Sequence, residues 1–79
     1  MLTAMRKPDR TLATFGRNIR QLREQAGLSQ EKFAAKAGLD RSFLSGVESG
    51  TRNPGVLTVA KLAKALGVTA AALMEGVGR

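Results

Sequence analysis

Three times in this chain a glycine is followed by one apolar residue and then by a short oxygen-bearing side chain. The three triplets are Gly27-Leu28-Ser29, Gly38-Leu39-Asp40 and Gly67-Val68-Thr69. Glycine takes the left-handed conformation that closes a helix without a Cβ clash. A Ser, Asp or Thr two residues later can accept a free backbone N–H and open the next helix. The apolar residue between them stands where it can staple onto that helix. Gly50 and Gly76 also follow helical segments. The punctuation predicts five helices, over about 12–26, 30–37, 41–49, 57–66 and 70–75. There is no alternating apolar run and no hairpin dipeptide between apolar segments, so the fold class is all-α.

Within these segments the apolar residues recur at helical spacing. The first helix carries Phe15, Ile19, Leu22 and Ala26, the second Phe33, Ala34 and Ala37, and the fourth Val59, Leu62, Ala63 and Leu66. Each set forms one stripe that faces a core. Thr51-Arg52-Asn53-Pro54-Gly55 is a loop, because Pro54 pushes Asn53 out of the helical region. A chain of 79 residues holds one such core and not two. The expected organisation is a basic N-terminal arm over 1–11, a helical domain over 12–76 and a tail over 77–79.

Composition narrows the function. Cysteine and histidine are both absent, so there is no thiol nucleophile, no Cys or His metal ligand and no imidazole acid/base. The six acidic residues are scattered. An enzyme is disfavoured, and no metal or cofactor is expected. Thirteen Lys and Arg against six acids give a formal charge of +7, which suits a polyanionic partner, nucleic acid before membrane. No apolar run reaches the roughly 20 residues of a membrane span. The first ten residues carry charge where a signal peptide needs an apolar stretch, so the expected compartment is the cytoplasm. The only aromatics, Phe15, Phe33 and Phe43, sit at core positions, which leaves no stacking platform for single strands.

The second and third helices are short and joined through Gly38, the outline of a helix-turn-helix. On a wheel of the third helix, Phe43, Leu44, Val47 and Glu48 fall on one side. Ser42, Ser45, Gly46 and Ser49 fall on the other, with Arg41 at the border. That outer face is small and polar, so the helix axis can sit deep in a major groove about 12 Å wide. Arg41 and Ser42 occupy the first turn, where recognition helices touch base edges. Glu48 lies on the inner side and needs a partner, for which Arg23 is the candidate. Lys32 and Lys36 fit either a phosphate-contacting or a solvated face, and the arm residues Arg6, Lys7 and Arg10 suit a minor groove.

The segments AGLSQEKFA, GLDRSFLSGVESGTRNP and KLAKALGV resemble, in order and spacing, the phage Cro/repressor-type regulators of the xenobiotic-response-element family. The resemblance runs from Gly16 to about Glu75, and LDRSFLSGVESGTRNP is most similar to the controller proteins of restriction–modification systems. It implies a compact five-helix bundle of the lambda-repressor-like DNA-binding type with a central helix-turn-helix. It implies that Arg41, Ser42, Ser45 and Gly46 stand at base-reading positions. Gln30, Arg52 and Asn53 stand at phosphate-binding positions, to which the helix-face reading adds Lys32, and Arg23 and Glu48 form an ion pair. The last helix, through Val68, Leu73 and Met74, is the expected dimer contact. The resulting expectation is a homodimeric, sequence-specific regulator of transcription that binds double-stranded DNA at a palindromic operator. Repression follows from covering a promoter, and activation needs a further contact with RNA polymerase. The alternative is an antitoxin or other interaction module whose main partner is another protein.

Overall fold

The computed structural model describes residues 9–79. Its helices are α1 (Arg10–Gln25), α2 (Gln30–Ala37), α3 (Arg41–Ser49), α4 (Val56–Leu66) and α5 (Ala70–Leu73), and no strand occurs among the described residues. Gly27, Gly38, Gly50, Gly67 and Gly76 all have positive φ, as the punctuation required. Ser29 accepts from the Lys32 N–H at 3.1 Å and Thr69 from the Ala72 N–H at 3.2 Å, both as helix caps. The Asp40 carboxylate instead accepts chiefly from the Ser42 hydroxyl. The three spacers Leu28, Leu39 and Val68 are half-buried against the core.

α1 starts two residues ahead of its expected position. Asp9 supplies the cap: its Oδ1 accepts from the N–H groups of Thr11 at 2.8 Å and Leu12 at 3.1 Å. Arg10, assigned from the sequence to the arm, is therefore the first residue of α1. Arg6 and Lys7 lie outside the described residues. At the other end, Val77 packs against the core rather than trailing from it.

Phe15, Ile19, Phe33, Leu44, Val47, Leu62 and Leu73 form the centre of a single core drawn from all five helices. Burying such side chains contributes about 1.5–3 kcal/mol each. Ala26, expected at the foot of the α1 stripe, is exposed at the helix C-cap, and the neighbouring buried position belongs to Arg23. α3 packs against both α1 and α2. The α1–α3 crossing is close because Gly16 has no side chain. A Cβ at Gly16 would overlap the carbonyl oxygens of Val47 and Glu48 and lie 2.7 Å from the Glu48 carbonyl carbon. Backbone cannot step aside as a side chain can. Gly16→Ala should therefore lower unfolding stability by about 1–3 kcal/mol in urea titrations, despite alanine's better helix propensity. An unchanged midpoint would mean that the crossing has slack.

Asn18 closes the bundle across the chain. Its side-chain amide donates to the carbonyls of Leu73 and Glu75, both at 2.8 Å, and so holds the end of α5 against α1. The orphan carbonyls of a short last helix are satisfied in this way.

Candidate nucleic-acid interface

Leu44 and Val47 are fully buried, Phe43 is half-buried, the side chain of Glu48 points inward, and Arg41, Ser42, Ser45 and Ser49 are exposed. The core thus fixes the roll of α3 and turns its small polar side outward. The outer side chains differ in what they have left to offer. The Ser42 hydroxyl donates to Asp40, so toward a ligand it is an acceptor. That hydrogen bond, reinforced by the backbone N–H groups of Phe43 and Ser42 and least by the charge of Arg52, holds the Asp40 carboxyl below its ordinary range. Ser45 is exposed and Arg41 projects from the first turn.

Below this surface lies the ion pair. Arg23 Nε and Nη2 donate to the two oxygens of Glu48 at 2.7 and 3.0 Å, and Nη1 donates to the Leu28 carbonyl at 2.8 Å. The side chains are 10% and 4% exposed. The hydrogen bond to Glu48, above all, raises the Arg23 pKa from its ordinary value. Among the described residues no buried side-chain polar atom lacks a partner. Glu48 also accepts from Gln30 Nε2 at 2.9 Å. One N–H of that amide is thereby committed and the other remains, at the first residue of α2, for an outside acceptor. Lys32 is exposed two residues on.

Arg52, expected along a phosphate backbone, is exposed and lies back over α3, with its guanidinium carbon 5.9 Å from the centre of the Phe43 ring. Gly46 is half-buried beneath the Arg52 stem rather than a bare stretch of helix. Asn53 is exposed and borders an open groove of about 420 Å³, which Leu12, Phe15, Pro54, Val59 and Met74 also line.

The expected dimer contact is also redrawn. Leu73 is 0% exposed and belongs to the monomer's own core, so it has no surface left for a partner. Val68 is half-buried against the same core. Met74 remains 45% exposed, and among the described residues the two other large exposed hydrophobics are Val56 at 84% and Leu57 at 80%, both in the first turn of α4. The sequence carried a signal for them in two adjacent apolar residues just after Pro54-Gly55, with Val56 one turn before Val59.

Among the described residues, no group of three or more acidic residues could hold a metal ion. No described helix is long and apolar enough to cross a membrane.

The helix-turn-helix family model matches residues 19–73. The chain is 39% identical over 64 residues to the control protein C.MunI of a Mycoplasma species, covering 80% of this chain and 86% of that one. It superposes on the restriction–modification controller protein C.AhdI from Aeromonas hydrophila with a TM-score of 0.77 at 47% identity, covering 78% of this chain and 94% of that one. The C.Esp1396I controller, solved as a tetramer in complex with its natural 35 base-pair operator, aligns with a TM-score of 0.77 at 29% identity, covering 87% and 91%. The chain belongs to the helix-turn-helix family of transcriptional regulators.

Proposed function

We propose that the protein is the controller of a restriction–modification system and binds a palindromic operator in double-stranded DNA as a homodimer, acting in the cytoplasm without catalytic activity. The observation that carries this reading is the outer face of α3. Arg41, Ser42 and Ser45 stand exposed on a helix whose roll is fixed by fully buried Leu44 and Val47. Such a helix enters a major groove with its first turn at the base edges. Arg41 grips guanine O6 and N7 bidentately, Ser42 accepts, and the free N–H of Gln30 with Lys32 and Asn53 holds phosphates. The controller relative solved on its operator is an assembly of several subunits, in keeping with this arrangement.

Two recognition helices enter successive major grooves about 34 Å apart. The subunits meet through the exposed apolar residues Val56 and Leu57 at the start of α4 and Met74, which lines the open groove. Covering a promoter represses it, and an activating contact with RNA polymerase would come from a surface outside α3.

Selection from a randomised duplex library at about 150 mM salt tests the reading. Enrichment of a two-fold symmetric site supports it, and binding without an enriched motif refutes it. On the enriched site Arg41→Ala should lose about 1–3 kcal/mol of binding with the fold intact. An equal loss on random duplex would make Arg41 a phosphate contact.

A further inference from the structure

α3 has one position on its exposed side without a side chain, Gly46, and that position is occupied by another residue. A Cβ built on Gly46 would overlap Arg52 Cγ and lie 3.2 Å from Arg52 Cβ. The contact is with the root of the side chain, not with its mobile tip. The backbone of Arg52 is tied to the same residue: the Gly46 carbonyl accepts from the N–H groups of Thr51 at 2.9 Å and Arg52 at 3.1 Å. It accepts also from the hydroxyls of Ser49 at 3.1 Å and Thr51 at 3.3 Å. From this anchor the Arg52 stem runs back along α3 to place the guanidinium over Phe43, one turn earlier. A cation over an aromatic face is held there by the ring's quadrupole. The charge also reaches Asp40, at the start of the helix.

A glycine inside a helix is unfavourable unless something needs the space. Here the thing that needs it is visible. We propose that Gly46 is a positioning residue that seats Arg52 on the recognition surface, so that a loop arginine supplies the specificity-determining donor fork that α3 lacks at this point. The inference rests on the DNA-reading role proposed above. Arg41 and Arg52 then flank the polar face as two forks, one from the helix and one from the loop. Only the loop fork depends on an empty Cβ position.

The experiment is a double-mutant cycle with Gly46→Ala and Arg52→Ala, read on the library-selected duplex and on a random duplex, with circular-dichroism melting as the fold control. Gly46→Ala gains helix propensity but displaces Arg52 from Phe43, so it should stay folded and melt within a few degrees of the wild type. It should bind the selected site about tenfold more weakly, while its affinity for random duplex stays within about twofold because the charge is kept. In the Arg52→Ala background, adding Gly46→Ala should change affinity by less than about twofold. Arg52→Lys keeps charge and stem but not the fork, and should lose preference for the selected site. Unchanged site preference in Gly46→Ala would overturn the proposal. So would an undiminished loss in the Arg52→Ala background, which would assign Gly46 to direct approach by DNA. If the wild type selects no site, the DNA-reading role itself fails, and that result is separate from either of these.

Discussion

Arg23→Met is expected to lower the unfolding free energy by about 3–5 kcal/mol, the cost of leaving one member of a buried pair alone. Glu48, with its side chain 4% exposed, would keep only the Gln30 amide and lose both guanidinium bonds. The Leu28 carbonyl would lose its side-chain donor as well. Domains of this kind hold about 5–15 kcal/mol in total, and small ones lie toward the lower end. The variant should therefore be close to unfolding at body temperature, and a urea titration would measure it. Arg23→Met combined with Glu48→Leu should recover much of the loss, since two matched apolar residues carry no stranded charge. A single variant as stable as wild type would show that water reaches Glu48. The pair should give no pH dependence near neutrality from its arginine side. A basic group with a raised folded pKa contributes stability that is present below its unfolded value and lost only as pH climbs past that. For arginine this window lies far above neutral.

Leu44→Ala is the second large effect, at about 2–5 kcal/mol. Leu44 is fully buried in α3, about one turn from its first residue, and packs among Phe15, Phe33, Val47 and the rest of the core cluster. Truncation removes contacts on the inner side and touches nothing on the outer one. For a domain of this size each kcal/mol moves the midpoint by about 4–8 °C, so melting should fall by at least about 10 °C. A saturating duplex of the selected site should restore part of that fall, because DNA binds the folded state. A melting temperature equal to wild type would mean that α3 is rolled differently, and the assignment of its outer face would fall with it.

Much of the bundle was legible because its signals are local. Glycine and cap residues lie within three positions of each other, and the stripe of Phe15 and Ile19 needs only helical spacing. Glu48 on the inner side of α3 pointed to a partner, and Arg23 was the cation within reach. What the sequence could not carry was anything set by two distant segments. Gly16 looks like any helical glycine until the carbonyls of α3 lie against it. Gly46 looks like missing readout until Arg52 covers it. The resemblance put Leu73 at a subunit contact, but the end of α5 is turned inward and held by Asn18. Asp9 was the missed local signal, a good cap placed three residues ahead of Leu12.

The clasp between Asn18 and the carbonyls of Leu73 and Glu75 joins residues 55 and 57 positions apart. During synthesis Asn18 and the whole of α3 are translated before those carbonyls exist. Until α5 emerges, Leu73 cannot fill the core and Met74 cannot take its place beside α4. The surface proposed to join two subunits is thus completed last. A half-made chain has its base-reading residues translated but no finished face with which to find a second copy.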